Sequence, residues 1–584
     1  MGRGMPECPA VPQAYRMPVA RKRRREQGMI APVNSKTTLQ TVLENAAAAL
    51  PRQPWRASVL AALCFAAPCA LAQTYTSAPA AGAAAKPAGS WTPPAVPPAP
   101  NLPNLGDTSR EDLSPAMERK IGEEIMRGIR GDRDYLDDAP LLEYLNTFGN
   151  ALVAARPSVR GETNYDYFFF AVRDPQLNAF ALPGGFIGVH SALVLAAQTE
   201  AELASVLSHE IGHVAQRHIA RMLGQQRQDA LMPLAAMLLA ALASRAGGDV
   251  AMGVFAAGQG LAIQRQLNFG RDAEREADRI GFQIMGEAGF DTTGMVAFFG
   301  RMQAASRSYS DLMPAYLQTH PLTTERIADI QARIREQPYK QRPDSLNFHL
   351  ARARARVLQD ESVQGLLNAK AVFKTQLEQQ SRFQVTAAHY GLSFVAVKQG
   401  KPFDAQKELD AANAALHQPA GPNVFTSGGT QAPNSLLAAM ALEVLLMPEQ
   451  KPAVAQQALK AADAARQQFP LSRGIARQYA EALIADKKLD QATLYLRDQV
   501  QLYKEEPELY DLLAKAYADL GKMTLQHIAL AESYVLQGAT MAALDQLTIA
   551  RKSTDATFYD QAVIDARERE LQEKRREQLK DQKG

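Results

Sequence analysis

Strand signals, short apolar runs rich in aromatic and β-branched residues and bounded by turn residues, are confined to about residues 164–190 of this 584-residue chain. They run through Tyr165-Asp-Tyr-Phe-Phe-Phe-Ala-Val172, then Asn178-Ala-Phe-Ala-Leu182, then Phe186-Ile-Gly-Val189, with Pro183-Gly184-Gly185 as a turn between the last two. Almost every other patterned segment has helical spacing. These positions predict an α+β first half, mostly helical with one small sheet, followed by an all-α second half. One core cannot serve so long a chain, so more than one domain is expected.

The start of the chain reads differently. Residues 1–72 carry ten Lys/Arg against three Asp/Glu, which leaves the remainder at −4 although the whole chain is +3. A mildly acidic body argues against a nucleic-acid binder. Arg52 and Arg56 precede the apolar run Ala57–Ala72, which ends Ala70-Leu71-Ala72 before Gln73, the pattern of an export signal and its cleavage site. The long prefix before that signal suggests a translation start nearer Met29, with the mature protein beginning at Gln73. The Arg21-Lys-Arg-Arg-Arg25 cluster is then not mature protein; its rival reading is a basic nucleic-acid or nuclear-import patch. All three cysteines, Cys8, Cys64 and Cys69, precede residue 73, so any metal in the mature chain must be held by His and carboxylate. Residues 73–106 are a Pro/Ala-rich linker.

The chemistry-bearing motif follows the strands. Thr199 and Glu202 read as a helix-opening cap, and that helix carries His209-Glu210-Ile211-Gly212-His213. A spacing of four sets both imidazoles on one face, about one turn apart, where they can share one Zn²⁺. Glu210 beside them can take a proton from water. The rival is two surface histidines on an ordinary helix, yet with only nine histidines in the chain a chance match is rare. A third ligand must come from elsewhere, because Ile219 occupies the place six residues after His213 where some zinc proteases have a third His. In Arg271-Asp-Ala-Glu274-Arg-Glu-Ala-Asp278-Arg-Ile-Gly281, Glu274 and Asp278 share a helix face. Glu274 can ligate zinc while Asp278 accepts the second N–H of a ligand histidine. Glu276 is the competing ligand, and a solvated charged face is the bland alternative.

The segments Asn178–Gly185, Glu202–His213 and Glu274–Asp278, in that order, resemble the HtpX/CaaX-prenyl-protease-type gluzincins. Within them the chain is most similar to the periplasmic, BepA-like β-barrel assembly-enhancing proteases, which join a zincin-type metallopeptidase domain to tetratricopeptide repeats. The resemblance covers about residue 110 to the C-terminus. It implies one Zn²⁺ per chain on His209, His213 and Glu274, with Glu210 as catalytic acid/base and Asp278 as a further active-site acid. Whether Asp278 donates a proton or orients a ligand stays open. The strand Asn178, Ala179, Phe180, Ala181, Leu182 would be an edge to which extended substrate adds. The implied activity is an exported zinc endopeptidase that degrades misfolded or stalled outer-membrane proteins and assists their assembly, docking on β-barrel assembly machinery through its repeats. The implied location is the periplasm, soluble or peripherally attached to the outer membrane. A repeat-based chaperone with an idle or structural metal site is the alternative.

Three further expectations remain. The apolar stretch Ala230–Ala243, with Val250–Ala256 after it, is too short to span a bilayer, and reads as a buried hairpin or as a flap touching membrane or substrate. His320, before Pro321 and the cap residue Thr323, is suited to reach the metal, either assisting the tetrahedral intermediate or occupying the fourth zinc position as a gate; an unrelated surface histidine is the bland alternative. Residues at tetratricopeptide spacing, among them Ala405, Leu409 and Ala412, and pairs 34 apart such as Ala458/Ala492 and Lys487/Gly521, predict a helical-repeat solenoid, with a plain helical bundle as the alternative. The expected division is therefore 1–72 signal, 73–106 linker, 107–341 metallopeptidase, 342–565 tetratricopeptide-like repeats and 566–584 charged tail.

Overall fold

The computed structural model describes residues 113–161, 166–229, 269–308, 315–336, 342–378, 381–417, 433–448 and 451–582. The basic cluster, the export signal, the linker, the three cysteines and the apolar stretch 230–256 lie outside those residues.

Helix α1 (Pro115–Arg130) starts at Ser114, whose hydroxyl accepts from the Met117 amide, with Pro115 at a position that needs no amide donor. Helix α2 (Ala139–Ala155) repeats the device with Asp138 and Pro140. Three strands follow, β1 (Phe168–Val172), β2 (Ala179–Leu182) and β3 (Phe186–His190), in the order β1-β3-β2. β1 runs parallel to β3 and β2 antiparallel to it. The β2–β3 turn places Gly184 at φ +79° and Gly185 at φ +92°, left-handed conformations that explain both glycines. β1 opens at Phe168, where its amide donates to Gly185 O at 2.9 Å, so Asp166 and Tyr167 stay outside the ladder.

The two sheet edges differ. Beyond β1, the Asn146 side chain donates to Phe169 O at 2.7 Å and accepts from its amide at 3.0 Å, while the Leu136 amide donates to Ala171 O. That edge is closed by an amide standing in for a strand. Among the described residues β2 pairs only with β3.

Short helix α3 (Ser191–Ala196) leads to α4 (Glu200–Ala215), which packs against the sheet. Then come α5 (His218–Asp229), α6 (269–287), α7 (Thr293–Ser308), α8 (Ala315–Thr319) and α9 (Thr324–Arg335). Every described element from α10 (Leu346–Gln359) onward is helical. In this half Gly400, Lys487, Gly521 and Gly538 have left-handed φ just after helix ends, so the 34-residue pair Lys487/Gly521 marks two equivalent turns. The charged C-terminal run belongs to one helix, Phe558–Gln582, which buries Ile564 and Leu571.

The main apolar core joins Leu145, Phe169, Ile187, Leu207, Ile211, Met285 and Phe298 to Phe348, Leu350, Tyr390 and Leu409. It therefore crosses the 341/342 boundary expected from the sequence. Arg354 of α10, itself buried, pairs with the α2 cap residue Asp138 and with Glu443. Separate clusters serve the later helices, one around Ile475, Leu496 and Leu513, another around Ala531, Leu547 and Ile564. No helix among the described residues is long and apolar enough to cross a membrane.

Candidate metal centre

Helix α4 is pinned at its start. Thr199 Oγ1 accepts from the Glu202 amide at 3.3 Å, and Glu202 Oε2 accepts from the Gln198 amide at 2.6 Å, closing a reciprocal cap. Arg301 of α7 grips both oxygens of Glu202. About two to three turns beyond Glu202 stand His209, Glu210 and His213, the first two wholly buried. Helix α6 crosses α4 at Gly212 and Gly281, where a Cβ on Gly212 would lie 2.9 Å from Ala277 O and one on Gly281 would lie 2.9 Å from the His209 amide nitrogen. Only glycine permits so close a crossing, and the crossing is what carries Glu274 and Asp278 to the histidines.

His209, His213, Glu274 and His320 each turn one ligand-type atom to a common point, all within 4.8 Å of one another. His209 Nε2 is 3.0 Å from His213 Nε2 and 3.3 Å from His320 Nδ1. The Glu274 carboxylate is 3.4 Å from the Nε2 atoms of both His209 and His213, and 2.9 Å from His320 Nδ1. A tetrahedron around zinc with 2.0–2.1 Å Zn–N bonds has edges of about 3.3 Å. Donor type, donor number and spacing thus fit a zinc ion. His320 reaches the cluster from the loop between α8 and α9, with Thr323 Oγ1 capping α9.

Glu210 lies beside the four. No side chain among the described residues hydrogen-bonds either oxygen; the Ala181 amide of β2 faces the carboxylate, and His320 Nε2 lies 3.5 Å from Oε1. Burial pushes its carboxyl above the usual range against the pull of His320, His209 and the Ala181 amide of β2. The same contact sets β2 and its residues 178–182 along the cluster's flank. Asp278 sits on the opposite side of His209, its Oδ1 3.0 Å from His209 Nδ1. Arg326 of α9 holds Asp278 by two bonds of 2.6 and 2.7 Å and reaches Glu274 Oε2 at 2.8 Å. Burial opposes ionisation of Asp278, but Arg326 and His209 outweigh it and keep its pKa low. For Glu274 likewise, His320 and Arg326 overcome burial and hold the carboxyl well below its usual range. Burial disfavours a charged His209, yet Asp278 and Glu274 raise it to about 10; burial dominates at His213 and lowers it to about 3. Glu276 points elsewhere, to His218 Nε2 at 3.2 Å and Arg221 Nη1 at 2.8 Å.

Three residues here had no role in the sequence reasoning. Arg326 had a signal: it is four residues before buried Ile330, on the inward stripe of α9, where a lone arginine needs buried acids. His218 was hidden, because five residues after His213 it would leave that face if the helix continued. Instead Arg217 turns the chain at φ +51° and brings His218 Nδ1 to 2.9 Å from His213 Nδ1. Tyr316, whose buried hydroxyl has no partner among the described residues, lies with its ring centroid 4.7 Å from that of His320; no spacing rule pointed to it.

Residues 145–334, which contain this cluster, match the model of peptidase family M48. Over 484 residues the chain is 30% identical to the β-barrel assembly-enhancing protease of Escherichia coli K12, covering 81% of this chain and 92% of the relative. A putative β-barrel assembly-enhancing protease of Vibrio cholerae is 40% identical over 256 residues, 43% of this chain and only 51% of that protein. The mitochondrial metalloendopeptidase OMA1 of Schizosaccharomyces pombe is 29% identical across 39% of this chain and 64% of its own length. The chain belongs to the β-barrel assembly-enhancing proteases of peptidase family M48.

Proposed function

We propose that the chain is an exported zinc endopeptidase that removes misfolded or stalled outer-membrane proteins and assists their assembly. The observation that carries the catalytic part is Glu210: a buried carboxylate that no side chain among the described residues bonds, beside a converging His/His/Glu set. A structural metal site has no use for such a group, whereas hydrolysis requires a base there. That argues against the chaperone-only alternative. The relatives' name, β-barrel assembly-enhancing protease, supports a role in barrel assembly, and the signal-like segment before Gln73 supports export to the periplasm.

His209, His213 and Glu274 would hold the zinc ion, which when bound polarises a scissile carbonyl and acidifies water. Glu210 takes the proton from the attacking water and delivers it to the leaving amine, a shuttle favoured by its raised pKa. Asp278, clamped by Arg326, orients His209 rather than donating protons itself. Extended substrate adds to β2 at Asn178–Leu182, the edge not closed by a side-chain amide. His320, in the same cluster, would complete the ligand set at rest and so restrain the protease among unfolded clients. The helices beyond residue 342 form a tetratricopeptide-like docking region for assembly machinery.

Metal content measured alongside casein degradation tests the core of this reading. Glu210→Gln should keep near-stoichiometric zinc and lose hydrolysis, while His213→Ala and Glu274→Ala should lose the metal. Hydrolysis surviving in Glu210→Gln refutes the assignment.

A further inference from the structure

His218 stands on the side of His213 away from the ligand cluster. Its Nδ1 lies 2.9 Å from His213 Nδ1, and its Nε2 lies 3.2 Å from Glu276 Oε2, which also accepts from Arg221 Nη1 at 2.8 Å. His218 is only 5% exposed, so water does not compete freely for these bonds. Two ring nitrogens at hydrogen-bond distance share one proton, and the far end of the chain decides where it sits. A carboxylate paired to arginine only accepts, so His218 Nε2 carries a proton toward Glu276. In a neutral His218 the Nδ1 is then a lone pair, and His213 Nδ1–H must be the donor. That leaves His213 Nε2 bare at the point where it faces His209 Nε2 at 3.0 Å and Glu274 Oε1 at 3.4 Å. The opposite tautomer would aim an N–H at the place where a metal belongs.

We propose that His218 and Glu276, anchored by Arg221, fix the tautomer and ring orientation of His213 and so set the zinc affinity of the site. This rests on the reading of His213 as a ligand. Both are positioning residues. The other ligand histidine on α4 has the same service in shorter form, His209 Nδ1 facing Asp278 at 3.0 Å with Arg326 behind it. The two helix-borne imidazoles are thus each backed by a carboxylate–arginine pair, one directly and one through an intervening histidine. The longer relay exists because the Arg217 turn ends α4 and restarts the chain as α5 beside it.

Zinc titration of the apo full-length chain against a chelating dye tests this, with melting of each apo variant as the fold control. His218→Ala and Glu276→Ala should each bind zinc about 10–100-fold more weakly than wild type. His218→Asn, whose side-chain oxygen can accept near the place of Nδ1, should recover most of the loss. A merely space-filling role would lower the melting temperature of His218→Ala without recovery of affinity by Asn. His213→Ala separates the two readings. If it binds zinc like wild type, the ligand assignment has failed; if it loses zinc while His218→Ala and Glu276→Ala match wild type, the relay is overturned. Should His218→Ala not fold, wild-type affinity in Glu276→Ala overturns the relay by itself.

Discussion

An alanine at position 212 or 281 should cost more at the metal centre than in the fold. At Gly212 the added Cβ would stand 2.9 Å from Ala277 O and 3.0 Å from Ala277 Cα; at Gly281 it would stand 2.9 Å from the His209 nitrogen and 3.0 Å from Ser208 C. All four atoms are backbone, so no rotamer change relieves them. Ordinary contact begins near 3.4 Å, and α4 and α6 must therefore part by about half an ångström in a close-packed interior. Such overpacking costs about 1–3 kcal/mol, partly offset by the roughly 0.8–1 kcal/mol that alanine gains over glycine within a helix. Net destabilisation is then about 0–2 kcal/mol. The ligand set is less forgiving, since Glu274 rides on one helix and both histidines on the other, and sites of this kind need placement within about 0.5 Å. Zinc affinity should fall clearly even where the melting temperature barely moves. Gly300, exposed on α7, is the control, because a methyl added there would meet nothing within 4 Å; Gly300→Ala should stabilise by up to about 1 kcal/mol. Thermal melts with and without zinc, plus dye competition, measure all three. If Gly212→Ala and Gly281→Ala match Gly300→Ala in stability and wild type in zinc affinity, the crossing does not set the site.

Other consequences follow from particular contacts. His320→Ala should raise basal casein degradation if His320 restrains the site at rest; a fall in rate with zinc retained assigns it to catalysis instead. Arg326→Ala strands two buried acids, Asp278 and Glu274, and should cost about 3–5 kcal/mol, whereas Arg333→Ala, which loses only the surface pair with Asp329, should cost under about 1 kcal/mol; equal melts would refute the contrast. Glu508 is pushed up to about 8 by burial and by Asp137, against Arg477. The folded chain therefore keeps a proton that the unfolded chain releases near 4.5, and this group lowers stability progressively as pH rises from about 4.5 to 8. Glu508→Gln should flatten that part of the melting-temperature profile, and an unchanged slope contradicts the assignment. A chain truncated after residue 341 loses Phe348 and Leu350 from the core and Arg354 from Asp138, at about 1.5–3 kcal/mol for each large apolar side chain; it should not melt cooperatively, and a stable, monomeric fragment would show that the core divides at that boundary.

What could be read in the sequence was whatever a single element decides for itself. The cap at Thr199, the turn at Gly184-Gly185, the cap at Thr323, and the i,i+4 faces that pair His209 with His213 and Glu274 with Asp278 are local, and the structure forms each of them within its own element. How the two faces meet is not local. Gly212 and Gly281 look like defects of helix propensity until each is set against the other's backbone. His218 reads as a residue leaving the metal face, because nothing in Arg217 announces a left-handed turn that most residues avoid. Arg326 occupies a core position of α9, and its charge makes sense only with Asp278 and Glu274 already in place. The core across 341/342 follows the same rule, since an amphipathic helix such as α10 shows that it must bury a face without naming the partner. The residues that could be found were those defined by spacing along one helix. The residues that hold them in register, each a glycine, an arginine or a histidine with an ordinary surface reading, are defined only by the neighbour that the fold brings.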